Sequence, residues 1–421
     1  MKEGAMSVWG KETRTGALST EEIRTICSEG LADVPLDGKR ILVLIPDYTR
    51  HAPLDLFFRI FYDEIGTRVR ALDYLIASGT HVPMPYDQTL TMLKLSASDH
   101  QQKYGKVRFF SHDYKDRASL TSIGTISPDE FHDLSGGHLR EEVNITMNRL
   151  VLEYDQIFIV SPIVPHETAG FSGGNKYFFP GIAGLELVQL FHWVGALITN
   201  PDINGVKHNP VRAIIERAAA FLTVPHFSFC FAVGNQGLAC LYVGDTWEAW
   251  EKTADCSARI HIVYRQKPLK QVLGLAPKIY DDVWVGGKVM YKTEPVMAEG
   301  GEVIIYAPHI KEVSFVHGEA IKRIGYHVRD YFVNQWDRFK SESKLILAHS
   351  TNVRGIGTFL DGVERPRVRV SLATSIPEDV CKAINLEFRD YRTIDVEEWR
   401  ANQDEEHIVI DKAGQDLYRL K

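Results

Sequence analysis

The sequence has 421 residues, 44% of them hydrophobic and 24% charged, which is the make-up of a globular chain and excludes a disordered or fibrous one. That length exceeds one ordinary core and points to two domains. The formal net charge of −7 lacks the basic excess that nucleic-acid binding requires, yet leaves room for a local basic pocket around an anionic substrate.

The five cysteines, Cys27, Cys230, Cys240, Cys256 and Cys381, are scattered without a CxxC pair, so neither a disulfide framework nor a zinc ribbon is indicated. No apolar run reaches the roughly 18–20 residues of a membrane span. Met1 to Thr20 is polar and lacks the apolar core of a signal peptide. The expectation is a cytoplasmic protein with neither nucleic acid nor membrane as partner.

In chain order, Ser19 and Glu22 have the spacing of a capping box, and Ile23, Ile26 and Leu31 give the helix behind it an apolar face. Arg40 to Pro46 is a continuous apolar run, as expected for a strand buried on both faces. Similar runs cover Ala71 to Ala77, ending in Ser78-Gly79-Thr80-His81, and Gln156 to Val160, ending in Ser161-Pro162. Helical patterns lie between them at Leu54 to Ile65 and Asp87 to Leu95. This alternation predicts βαβ units and a mainly parallel sheet, and Asp47, Arg50, His81 and His166 cluster just after its strands, where such sheets bind ligands. The polar stretch Tyr264 to Lys270 reads as a linker, after which Val283–Val285, Val303–Tyr306, Leu345–Leu347 and Val368–Leu372 read as strands of a second α/β domain at 271–400. The first domain is placed at 1–265, with 401–421 able to pack back on it. Glu397 to Glu406 reads as a solvated helix or turn.

Ser161 to Gly184 carries the densest chemistry, with five glycines, His166 and Lys176 in one stretch after a strand. Gly170, Gly173 and Gly174 lack Cβ atoms, so backbone N–H groups could approach an anion, helped by the N-terminus of a following helix. Lys176 adds a point charge or an amine nucleophile. The spacing is neither a Walker A loop nor GxGxxG, and a purely structural glycine turn is the competing reading. His81, His166 and His192 bracket this stretch. Imidazoles suit acid/base work or metal ligation, although an isolated one is more often a satisfied core residue. His112 reads as structural. Asp47 could orient a histidine and Arg50 could grip a carboxylate; Lys288, after Val285-Gly-Gly287, is a second cation for the same task.

Asp47-Tyr-Thr-Arg50, Ala77 to His81, Pro165 to Lys176, Pro180-Gly-Ile-Ala183, His192 and Asn209-Pro-Val-Arg212 together resemble the nickel-pincer nucleotide-dependent racemases and epimerases, the lactate racemase family. The resemblance implies two α/β domains with mainly parallel sheets, and the cofactor and active site in the interdomain cleft. It implies a nickel-pincer nucleotide attached covalently at Lys176 and contacted by Asp47, Gly170, Ser172, Gly173 and Gly174, with His192 as the protein ligand to nickel. His81 and His166 would be the acid/base pair; Arg50, Lys288 and Trp284 would face a small 2-hydroxy acid. Racemisation or epimerisation would proceed by hydride transfer at C2, and maturation would need the pincer-nucleotide biosynthetic enzymes. The sequence departs from the family's Tyr-Gln-x-x-Lys run, reading Trp284-Val-Gly-Gly-Lys288, so a hydroxy acid other than lactate is expected. The segment Ser98 to Arg149 is longer than in the lactate enzymes, which could bring His112 or His138 near the pocket. A metal-dependent hydrolase or lyase using the same histidines, and a non-catalytic nucleotide-binding module, remain the alternatives.

Overall fold

The computed structural model describes residues 7–50 and 52–421. Residues 1–6, part of the stretch read above as lacking a leader, and residue 51 lie outside the described residues. The chain divides into two compact units. The first comprises Met1–Val164, Phe171–Val188 and Arg212–Ile260; the second comprises Pro165–Gly170, Gln189–Val211 and His261–Lys421. This division differs from a boundary at 265–271. Two short excursions, one carrying His166 and the other His192, belong to the second unit.

In the first unit, strands β1 (Trp9–Glu12), β2 (Arg40–Ile45), β3 (Ala71–Ile76), β4 (Phe109–Ser111), β5 (Gln156–Pro162), β6 (His226–Gly234) and β7 (Gly237–Gly244) form one sheet in the order β1-β7-β6-β5-β2-β3-β4. The run β6-β5-β2-β3-β4 is parallel, and β7 and β1 close its edge antiparallel. Central strands β2 and β5 are apolar on both faces because helices cover both sides. Helix α1 (Thr20–Ala32) starts at the Ser19–Glu22 capping box, both halves of which form. Helix α2 (Leu54–Ile65) buries Phe57, Phe58 and Phe61 against the sheet, where Phe57 stacks on Phe231. From β2 the chain moves outward through β3 to β4, then returns to place β5 on the opposite side of β2. That reversal makes the carboxyl ends of β2 and β5 a topological switch point, where open parallel sheets bind ligands.

In the second unit, β8 (Leu269–Leu275), β9 (Met297–Ala307), β10 (Arg369–Thr374), β11 (Glu387–Phe388) and β12 (His407–Ile410) form an all-parallel sheet in the order β11-β10-β9-β8-β12. The expected linker is instead structured. Ile262–Arg265 pairs in parallel with Leu417–Leu420, and β8 begins at Leu269. The C-terminal segment therefore packs on the second unit, not the first. The acidic run opens with the short helix Val396–Ala401, which buries none of its residues.

Two expected strands are helical. Val283–Gly286 is a helix capped by Asp282, whose carboxylate accepts from Val285 N, and Lys344–Arg354 is a helix buried from Leu345 onward. A short apolar run gives no period when every face is covered, and such runs do not distinguish buried helix from buried strand. Among the described residues, no helix is long and apolar enough to cross a membrane.

Candidate active site

In the first unit, Asp47 and the Ser78–His81 turn follow adjacent strands, since Ile45 pairs with Ile76. The turn is held by Gly79 N donating to Gly181 O at 2.9 Å and His81 N donating to Ser78 O at 3.0 Å. Asp47 is buried. One carboxylate oxygen accepts from the Thr49 amide and hydroxyl at 3.1 and 2.6 Å, and the other lies 2.6 Å from His81 Nδ1. Burial alone would raise the Asp47 pKa, but the bond to His81 and its charge, the Thr49 hydroxyl and the Arg50 guanidinium together bring it down to about 2. An ionised carboxylate accepts only, so Nδ1 of His81 carries a proton, as in carboxylate-oriented catalytic histidines. Arg50 and Asp47 also lie within electrostatic reach of Tyr177, the neighbour of Lys176. The first unit thus gathers Asp47, Arg50, His81 and the lysine turn.

That turn is gripped by its own protein. Helix α4 (Pro210–Ala219) carries Arg212, whose guanidinium is buried, lies 4.1 Å over the Trp250 ring and donates to the carbonyls of Phe171 and Gly173. Trp250 Nε1 donates to Ser172 O at 2.8 Å, and Asn175 Nδ2 donates to Glu216 at 2.5 Å. Burial lowers the Arg212 pKa to about 10 and raises that of Glu216, the signature of an ion pair held out of water. Two of its amides are occupied as well: Ser172 N donates to Val164 O and Gly174 N to Ser161 Oγ. Gly173 has φ +76°, and a Cβ there would meet Ile163 Cδ1 at 2.0 Å. Packing therefore accounts for this glycine, and the single turn Gly174–Tyr177 follows instead of an α-helix aimed at an anion. What the turn presents is the half-buried Lys176.

In the second unit, His166 opens the tight turn 166–170. Lys292, a buried lysine, donates to Pro165 O at 2.5 Å, and Thr168 N donates to His166 Nδ1 at 3.1 Å. Gly170 has φ +76°, and a Cβ there would sit 1.8 Å from Val206 O. Helix α3 (Leu185–Ile198) bears His192 one turn before Gly195, where a Cβ would come within 3.0 Å of Thr168 Cγ2, so the His192 helix packs on the His166 turn.

Trp284 and Lys288 are four residues apart on continuous helical backbone through Gly287, hence on one face. The Trp284 ring stacks on His349 with centroids 3.8 Å apart and meets His317 at 4.4 Å. The loop after β9 is fixed to this helix by Val283 N to Glu312 O, Trp284 N to Val313 O and Phe315 N to Asp282. Burial lowers the His349 pKa to about 3, with His317 and His192 adding repulsion, so His349 is neutral and sits within electrostatic reach of His192. His317, His349, Lys292 and the Arg212 clamp escaped the sequence reading. Asp282, three residues before Val285, was the available helix-cap signal; nothing local flags His349.

His112 is buried, with Nε2 3.1 Å from Ala183 O, Nδ1 3.3 Å from Asn148 Nδ2, and a pKa lowered to about 4 by burial. It joins the end of β4 to Ala183 and Asn148.

Residues 11–203 match the model of the lactate racemase N-terminal domain. Lactate racemase of Thermoanaerobacterium thermosaccharolyticum is 26% identical over 292 residues, 67% of this chain and 63% of that one. The N-terminal part of the chain is therefore similar to the lactate racemases. A second lactate racemase, from Lactiplantibacillus plantarum, is 24% identical over 201 residues, 46% of this chain and 42% of that protein. The matches thus span less than two thirds of either curated relative. A Thermotoga maritima protein of known crystal structure superposes with a TM-score of 0.88 at 34% identity, covering 98% of this chain and all of that one. The lactate racemase apoprotein of T. thermosaccharolyticum shares the fold at a TM-score of 0.70 and 18% identity, covering 96% and 94%.

Proposed function

We propose that this chain is a lactate racemase-like enzyme, a racemase or epimerase of a 2-hydroxy acid other than lactate, working with a nickel-pincer nucleotide attached at Lys176. The observation that carries the reading is the turn before Lys176. Arg212 and Trp250 hold the carbonyls of Phe171, Ser172 and Gly173, and Val164 and Ser161 hold the amides of Ser172 and Gly174, which fixes the backbone from which Lys176 extends. The donor set fits the group. A metal carried by an organic ligand asks one protein donor, and His192 would be that donor.

When bound, the cofactor supplies the acceptor and donor of the C2 hydride. The chain's own residues do the rest. Arg50 and Lys288 bind the substrate carboxylate, Arg50 through its planar fork. His81 and His166 serve the hydroxyl group, and Asp47 orients His81 through Nδ1. The Trp284 face, backed by neutral His349, stands where the family's Tyr-Gln wall would, so the substrate would be a hydroxy acid other than lactate. Maturation would require the pincer-nucleotide biosynthetic enzymes as partners.

The test is intact mass and nickel content of protein co-expressed with those enzymes, beside Lys176→Ala. The reading expects a covalent mass increase and bound nickel that both vanish in the variant. Protein without adduct or nickel, from a host that loads a known family member, would overturn it.

A further inference from the structure

A cavity of about 30 Å³ lies within the second unit, lined among others by Ala196, Thr199, Asn200, Glu294, Thr351 and Asn352. That is room for about two water-sized groups. Two helices end beside it: α3, which closes at Ile198, and the buried helix Lys344–Arg354. The last carbonyls of a helix lack intrahelical partners and carry the negative end of its dipole, so both ends favour a cation. The amide that would continue the ladder to Asn352 O, that of Ile356, donates instead to Glu294 Oε1 at 2.6 Å.

Glu294 is fully buried, and Asn200 Nδ2 donates to its other oxygen at 2.8 Å. Among the described residues no cation pairs with this carboxylate. Arg367 donates to the Met297 and Glu294 carbonyls, and Arg329, which also lines the cavity, donates to Asp330 and to Leu197 O. Burial pushes the Glu294 pKa up and Asp202 adds repulsion, against the Asn200 and Ile356 donors and Arg367. Three carboxylates, Glu294, Asp202 and Asp330, thus face two guanidiniums, which leaves one negative charge uncompensated. Asn352 is 7% exposed, and its side-chain amide makes no hydrogen bond among the described residues. A buried amide in that state calls for a partner. The wall is strained as well. Thr199 adopts φ +104° and ψ +147°, a conformation suited to glycine, held by its N–H on Gly195 O at 3.0 Å and its hydroxyl on Asp202 at 2.8 Å. That corner turns the chain out of α3 and brings Asn200 to Glu294.

We infer that this cavity binds one monovalent cation, with the Glu294 carboxylate, the Asn352 amide oxygen and helix-end carbonyls as its oxygen ligands. Hard oxygen donors with a single excess negative charge suit an alkali-metal ion or ammonium, whereas calcium and magnesium draw on more carboxylates. The ion supplies the charge that Glu294 lacks, satisfies Asn352 and fastens the end of α3 to that of the helix Lys344–Arg354. The inference stands apart from the racemase reading, because none of these residues takes part in that chemistry.

The test is thermal unfolding of the full-length protein, exchanged into choline chloride, whose cation is too large for the cavity, and titrated with potassium, sodium or ammonium chloride at constant ionic strength. With the ion about a hundredfold above its Kd, one site should raise the midpoint by about 3 °C in at least one of the three salts. Asn352→Leu removes a ligand that holds nothing else in place, and Glu294→Gln removes the charge; each should flatten the titration. Asn352→Leu alone decides the matter if Glu294→Gln does not fold. Equal midpoints in all four salts would overturn the inference, and so would a rise that Asn352→Leu leaves intact. Crystals grown in rubidium chloride locate the ion directly. An anomalous peak beside Glu294 and Asn352 is expected, and a cavity without one contradicts the assignment.

Discussion

The first unit holds its site with charge, and the second with rings and backbone. Around Lys176 and His81 the fixing groups are ionic: Asp47 on His81, and Arg212 paired with Glu216 behind the turn. Around Trp284 they are a neutral imidazole, a second ring and a capped loop. Buried charges anchor strongly because the loss of one partner strands the other in low dielectric, whereas stacked rings lose only their own contact. The two designs should therefore fail in different ways.

The largest effect is expected from Arg212→Met, which strands Glu216 and frees two turn carbonyls. Chemical denaturation should show a loss of about 3–5 kcal/mol, with hydrogen exchange rising across residues 170–177. A loss below about 1 kcal/mol would mean that packing, not charge, holds the turn. His112 comes next. Its pKa falls from about 6.5 to about 4 on folding, so the folded state resists its protonation. The associated stability is present above pH 6.5 and lost as pH falls toward 4, by up to about 3 kcal/mol. His112→Gln should remove that share of the acid slope in denaturation measured across this range. An unchanged slope would assign it elsewhere.

Asp47→Asn should cost about 10²-fold in kcat of the loaded protein by releasing the His81 ring. It should also abolish the stability that the ionised carboxylate contributes above pH 4 and loses as pH falls toward 2. The smallest change is expected in the second unit. His349→Leu keeps volume while losing the stack, for about 1 kcal/mol, and should shift tryptophan emission in a way that Trp284→Phe eliminates. A loss of several kcal/mol there would erase the contrast between the units.

Much of this was legible where local chemistry dictates structure. The Ser19–Glu22 box, the buried run at 40–45 and the Leu54–Ile65 helix follow from capping and period, and parallel strand ends direct attention to Asp47, His81 and the lysine turn. The resemblance in Pro165–Lys176 named the family. What escaped depends on residues far apart in sequence. Asp47 meets His81 only because β2 and β3 pair, and Arg212 reaches the turn from 41 residues beyond Phe171. His349 lies in a helix buried from Leu345 onward, so no polar face marked Leu345–Leu347 as helical. The glycines at 170 and 173 also clear space for Val206 and Ile163, an intramolecular need that the sequence cannot tell from an anion cradle.

The most direct measurement is the fate of deuterium at C2. Loaded protein is given one enantiomer of a 2-deuterated hydroxy acid in ordinary water, and the opposite enantiomer is analysed by mass. Transfer as hydride, held within the site and returned to C2, predicts that the product keeps its deuterium and that Lys176→Ala forms none. Product that has exchanged deuterium for solvent hydrogen would show removal of C2–H as a proton and contradict the account.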